Sequence, residues 1–144
     1  MIFPIVTTSE NRRTAIILAV HDVEETRDGI EKLLTADGYR IDPARSEDDA
    51  VERARRQRPD LILVSLGGLP VEVLLAAARI RQRAGLGDEI PVVVFCVPTI
   101  PEGEEVAMAN NIHAIRPDSF NHLRACLARL ILQLKLEHAR AEPV

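Results

Sequence analysis

Four mainly apolar runs of this chain each end on a residue able to do chemistry. Residues 15–20 (AIILAV) lead into His21-Asp22, and residues 61–64 (LILV) lead into Ser65. Residues 91–95 (PVVVF) lead into Cys96, and residues 112–115 (IHAI) lead into Arg116-Pro117. An imidazole, a carboxylate, an alcohol and a thiol are the parts of a nucleophilic hydrolase, with Cys96 or Ser65 attacking and His21 as base. His21, Asp22 and Cys96 are also the donor types of a soft-metal site. The spacing counts against both readings. Adjacent residues at an extended strand end point to opposite sides, so Asp22 is badly placed to orient its neighbour His21. No nucleophile-elbow pattern surrounds Ser65, and three ligands from two loops are a weak metal signal. The expectation is a set of polar groups satisfied by local hydrogen bonds, with no metal, no cofactor and no catalysis.

The elements that must position these residues follow from apolar spacing. The run at 15–20 suits a strand buried on both faces. From Glu24 to Ala36 the spacing turns helical, with Ile30, Leu33 and Leu34 on one face and Gly38 where a helix C-cap falls. Tyr39 to Asp42 is a brief strand. Ser46 and Asp49 resemble a capping box opening a helix that carries Ala50, Val51 and Ala54 inward. Leu61 to Val64 is a second buried strand, and a Gly-Gly-Leu-Pro turn leads into a helix from about Val71 to Arg83. Pro91 to Val97 is a further strand. Thr99 and Glu102 read as another capping box, opening a short helix that ends near Asn110 and Asn111. Ile112 to Ile115 is a weak fifth strand. The last helix begins near Ser119 and carries Phe120, Leu123, Leu127, Leu130 and Leu134 at spacings of three and four. Five alternations of strand and helix predict a five-stranded parallel sheet with helices on both faces, a flavodoxin-like three-layer sandwich. Residues 14–136 are expected to form the domain, with 1–13 and 137–144 as tails.

Composition sets the outer limits. The 144 residues suit one domain, and 47% hydrophobic with 28% charged residues is a soluble, globular mixture. Aromatics at 3% leave the core to Leu, Ile, Val and Ala and supply no platform for stacked bases. Eighteen basic against twenty-two acidic residues give a net charge of −4, without the positive field of non-specific nucleic-acid binding. The N-terminal residues show no secretory pattern. The apolar stretch from Leu61 to Ala78 is broken by Gly67, Gly68, Pro70 and Glu72, so no membrane span is expected. Cys96 and Cys126 are read as reduced thiols of a cytoplasmic protein.

With those elements in place the chain resembles a receiver domain of bacterial two-component response regulators. VHDVEETRDGIEKLLTADGYRID is similar to the family's first strand, acidic turn, first helix and second strand. RPDLILVSLGGLP resembles its third strand and loop, whose family form is close to PDLILLDLxMP. PVVVFCV resembles the fourth strand, and IRPDSF the region of the Lys-Pro motif. The match covers about residues 14–132. The resemblance implies a pocket of two metal-binding acids, a phosphorylated Asp, a Thr or Ser and a Lys. Those positions here are His21 and Asp22, Ser65, Cys96 and Arg116, and only Asp22 keeps the family residue. An alcohol at position 65 cannot form an acyl phosphate. An imidazole replaces a hard carboxylate, a thiol replaces a hydroxyl donor, and a guanidinium replaces an ammonium.

What this implies is a degenerate receiver domain that acts by protein contact within a two-component phosphorelay pathway, without phosphorylation and not as an enzyme. The alternative is an enzyme or ligand-binding protein using the altered pocket of His21, Asp22, Ser65 and Cys96. A third reading keeps weak metal or phosphate binding at Asp22 and Arg116. In the last helix Ile131, Leu132 and Leu136 widen the apolar surface beyond one strip. In receiver domains this region is a usual dimerisation and output face, so Leu130, Ile131, Leu134 and Leu136 are the candidate surface for a homodimer or a signalling partner. The alternative, held equally, is that the helix packs more deeply on its own domain. Arg53, Arg55, Arg56 and Arg58 read as a solvated helix face. His113, His122 and His138 read as structural or solvated, and Cys126 as a small core residue.

Overall fold

Strands that carry apolar residues at nearly every position must be covered on both faces, and three runs of this chain are of that kind. In the computed structural model, which describes residues 14–95 and 100–141 and only the backbone of 24–27 and 137–141, they form β1 (Ile16–His21), β3 (Leu61–Ser65) and β4 (Val92–Phe95). The remaining elements are α1 (Glu24–Ala36), β2 (Arg40–Ala44), α2 (Glu47–Arg56), α3 (Pro70–Arg83), β5 (Glu104–Met108), β6 (Ile112–Arg116) and α4 (Phe120–Ala141). Strand order across the sheet is β2-β1-β3-β4-β6-β5. The first four adjacent pairs are parallel, and β5 runs antiparallel to β6 at the edge.

The alternation of side chains along the strands makes two cores. Leu18, Val20, Ile62, Val64, Val92 and Val94 pack with Ala50, Val51 and Ala54 of α2 and Val73, Ala77 and Ile80 of α3. Ile17, Leu61, Leu63, Val93 and Ile115 pack with Ile30 and Leu34 of α1 and with Leu123, Cys126, Leu127, Leu130 and Ile131 of α4. This is the expected three-layer arrangement, with six strands in place of five and one of them antiparallel. Ser46 caps α2, its Oγ accepting the Asp49 amide at 3.2 Å. The Asp49 carboxylate accepts from the Arg45 amide, one residue before the position a reciprocal box uses. The four arginines read as a solvated face are all engaged: Arg53 with Asp42, Arg56 with Glu52, Arg58 with Glu89, and Arg55 on the Arg83 carbonyl. Arg79 and Arg83 of α3 meet Glu47 of α2 at 2.7 and 3.1 Å, tying the two helices together.

The short helix expected up to Asn110 is replaced by a hairpin, for reasons visible in the backbone. Thr99, the expected cap, lies outside the described residues. Pro101 has no amide hydrogen, and Gly103 takes a φ of +84°, outside the helical region. The Gly103 amide then donates to the Arg116 carbonyl at 2.6 Å. Asn110 and Asn111, at φ 63° and 60°, reverse the chain, a conformation asparagine tolerates better than most residues. Six residues remain between these turns, too few for an independent helix but enough to pair with β6.

The last helix corrects three of the four candidate surface residues. Leu130, Ile131 and Leu134 are buried, because α4 presents a broad arc from Cys126 round to Ile131 to the sheet; Leu136 alone of the four is half exposed. Leu132 is also exposed, and so is Phe120, expected in the inward stripe but standing at the first turn before the helix reaches the core. The helix continues to Ala141, past the expected boundary at 136.

Arg81 joins these parts from a buried position. Its guanidinium donates to the carbonyls of Ile90, Asn110 and Asn111 and pairs with Asp88 at 3.2 Å. It therefore satisfies the strained turn of the hairpin and the entry to β4 together. Replacing Arg81 by Met keeps the apolar stem but leaves these carbonyls without a donor. The expected loss is about 3 kcal/mol of stability, read as a melting temperature lower by roughly 10 °C; an unchanged transition would refute this role.

Candidate functional site

In a parallel sheet the C-terminal ends of the strands share one edge, and loops leaving that edge converge. His21 is the last residue of β1 and Ser65 the last of β3, and the two are direct neighbours in the ladder. His21 is fully buried and Ser65 half-buried. Asp22, one residue beyond the strand, is exposed. Its Oδ2 accepts the Gly67 amide at 2.8 Å, which ties the β1–α1 loop to the β3–α3 loop. Gly67 suits this close approach, since a Cβ there would stand 3.2 Å from the same oxygen. Arg116 ends β6, and its Nη1 donates to the Ile100 carbonyl at 3.2 Å. His21, Asp22, Ser65 and Arg116 thus all occupy the C-terminal edge. Cys96 lies outside the described residues.

The donor set of this edge does not fit a hard divalent ion. Mg²⁺ is held through oxygen ligands, carboxylates above all. Of the five positions only Asp22 is a carboxylate, and it is engaged by an amide hydrogen. Among the described residues no group of three or more His, Cys, Asp or Glu is arranged to hold a metal. The Gly67 contact engages the Asp22 carboxylate with the neighbouring loop.

A second polar cluster, which the sequence reading missed, joins β5 to α4. Glu105 accepts from Arg129 and meets His122 Nε2 at 3.2 Å, and Cys126 Sγ stands 3.8 Å from both Glu105 and Arg129. The Arg129 hydrogen bond holds the Glu105 carboxyl below its ordinary value. Burial, with the Glu105 charge beside it, pushes the Cys126 thiol up to about 11, so the thiol is protonated at neutral pH. Burial likewise lowers His113, whose Nε2 lies 2.8 Å from Asn111 Oδ1. Assigning Glu105 to a helix hid this cluster. The available signal was Gly103 on one side and Asn110-Asn111 on the other, turn residues bounding a run of strand length.

No protein-family model matches this chain. It is 30% identical over 79 residues to the transcriptional regulatory protein AfsQ1 of Streptomyces coelicolor, covering 55% of this chain and 33% of that protein. It is 31% identical over 84 residues to the response regulator MprA of Mycobacterium leprae, with the same shares of the two chains. The chain therefore spans about a third of the length of the curated relatives it matches. Among solved structures, the response regulator TrrA of Thermotoga maritima, in complex with Mg²⁺ and BeF, superposes with a TM-score of 0.62 at 17% identity, over 81% of this chain and 99% of that one. TrrA in complex with the histidine kinase ThkA gives a TM-score of 0.63.

The Glu105 cluster makes stability depend on pH. A carboxyl held low in the folded state contributes stability above its unfolded value, which is lost as pH falls through the folded value. Glu47, held low chiefly by Arg79, and Glu89, held low by a backbone hydrogen bond and by Arg58, act in the same sense. Stability should therefore fall as pH drops below 4.5. Glu105→Gln should cost about 1 kcal/mol at pH 7 and flatten the acid limb. Urea unfolding across pH checks both, and a variant as stable as the parent at pH 7 would refute the clamp. From the ladder of parallel strands, the convergent loops and the two sequence matches together, the chain has the response-regulator receiver fold and is homologous to response-regulator receiver domains.

Proposed function

We propose that this chain is a receiver-like module that works by contact with protein partners of a two-component pathway and takes no phosphoryl group onto its own sheet edge. The observation that carries the reading is Ser65, seated at the end of β3 directly beside His21. A phosphoryl group carried at this position would have to sit on an alcohol, which lacks the reactivity of an acyl phosphate. The surrounding charge agrees, because one carboxylate tied to an amide leaves little to attract Mg²⁺. The same contact, Asp22 to Gly67, supports a non-catalytic role.

Partner binding then replaces phosphorylation as the event that selects between conformations. The relatives support the setting. One is named a transcriptional regulator, another a response regulator, and TrrA has been solved with a histidine kinase. The module is read as cytoplasmic and as making no nucleic-acid contact of its own. No helix among the described residues is long and apolar enough to cross a membrane.

The test is a backbone amide NMR titration with Mg²⁺ and beryllofluoride, a mimic of the phosphoryl group. The expected result is no saturable shift at Asp22, Ser65, Gly67 or Arg116. Localised, saturable shifts at those amides would overturn the reading and restore a ligand-driven switch.

A further inference from the structure

In the edge hairpin, strand β5 is held by its ladder with β6 and by the Glu105–Arg129 pair, since none of its residues is buried. Such a strand opens at lower cost than the core strands beside it. What it flanks is an imidazole. His113 of β6 lies opposite Ala107 of β5 on one side and Val93 of β4 on the other, and residues paired in this way share a face of the sheet. Its Nε2 stands 2.8 Å from Asn111 Oδ1 in the left-handed turn. Asn111 Nδ2 donates to the Asp88 carbonyl at 3.0 Å, which leaves Oδ1 as the acceptor facing the ring. Nε2 therefore carries the proton of the neutral ring, and a second proton must go to Nδ1.

We infer that His113 is a proton-sensitive pin of the hairpin: the neutral ring holds the closed form, and its protonation favours a form in which β5 has left β6 and the ring is in water. The groups around the ring set the direction. Burial opposes a charged imidazole, Arg129 of α4 opposes it as well, and Glu105 of β5 favours it. The first two prevail and hold the ring below its ordinary value of 6.5. The other charged or titratable groups at this place are already engaged. Arg81 of α3 is bound to the Asn110 and Asn111 carbonyls and to Asp88, and Glu89 to Arg58. Cys126 and His122 of α4 both face Glu105, and His122 also faces Asp118.

A form that solvates the ring binds a proton more readily than one that buries it, so each proton taken up shifts the population toward the open form. The stability that neutral His113 lends the closed hairpin is whole above 6.5 and is lost as pH falls through the lowered folded value. Opening therefore begins while Glu105, held below 4.5, still carries its charge. It precedes the acid limb of the Glu105 cluster and is confined to the edge. The device gives the module an input of its own, the acidity of its surroundings, and an output at β5. This inference stands apart from the loss of phosphorylation, since it depends on the hairpin and not on Ser65.

Native-state hydrogen exchange of the full chain, followed by NMR at about pH 7.5 and about pH 5.5, tests it. Rates are divided by those of an unstructured chain at the same pH. Protection of the amides bonded between β5 and β6 should fall several-fold at the lower pH, while amides of β1 and β3 keep theirs. His113→Gln retains a donor for Asn111 Oδ1 but does not titrate, and should abolish the dependence on pH. His122→Gln, at the neighbouring imidazole, should leave that dependence in place. In the parent the Cε1 proton resonance of His113 should titrate below the range of a free imidazole. A ring titrating at or above that range would overturn the inference, whether or not the variants fold. So would hairpin protection that ignores pH in the parent, or a fall that persists in His113→Gln or vanishes in His122→Gln. An equal loss of protection in β1 and β3 would mean that the whole sheet opens together, and would refute the pin as well.

Discussion

Burial of β1, β3 and β4 on both faces is the constraint from which the rest of the molecule follows. A strand whose every side chain is apolar cannot show either face to water, so the chain must return over the sheet on both sides between strands. That requirement sets α2 and α3 on one face and α1 and α4 on the other. It also keeps the strands parallel, which gathers their C-terminal ends on one edge. His21, Asp22, Ser65 and Arg116 share that edge for this reason alone, although nearly a hundred residues separate the first from the last.

At the far side of the sheet the same constraint is met differently. A short helix between β4 and the last strand would have covered β6, but the turn residues leave only six positions between them. The chain satisfies β6 with a strand instead, and two cations make that strand secure. Arg129 reaches across from α4 to Glu105, and Arg81 reaches from α3 to the carbonyls of the turn. Each is a long side chain whose guanidinium serves several acceptors at once. The hairpin is therefore bound to both helical layers, and its outer edge is the exposed consequence.

The polar edge of strand ends brings an imidazole, a carboxylate, an alcohol and a guanidinium to one side of the sheet. Asp22 remains a carboxylate, yet its oxygen serves a loop-to-loop hydrogen bond with Gly67. His21 is buried where a charged ligand would need water or metal.

Much of the architecture was legible in the sequence because it rests on periodicity. The apolar runs at 15–20 and 61–64, the inward Ala50, Val51 and Ala54, and the Gly38 turn report local demands that tertiary context had only to accept. The same holds for the positions of His21 and Ser65, which the apolar runs before them place at the ends of β1 and β3. The segment from Glu104 to Met108 was different. Its residues favour neither state strongly, and the pairing that decides it comes from β6, the turn at Asn110-Asn111 and the distant cations Arg81 and Arg129. Which leucines of α4 face solvent was likewise undecided by spacing, since a stripe wide enough for partner binding is also wide enough to pack against a sheet. Only the depth at which α4 sits could bury Leu130, Ile131 and Leu134 while leaving Leu132 and Leu136 outside, and that depth is set by contacts from parts of the chain that spacing within one helix does not describe.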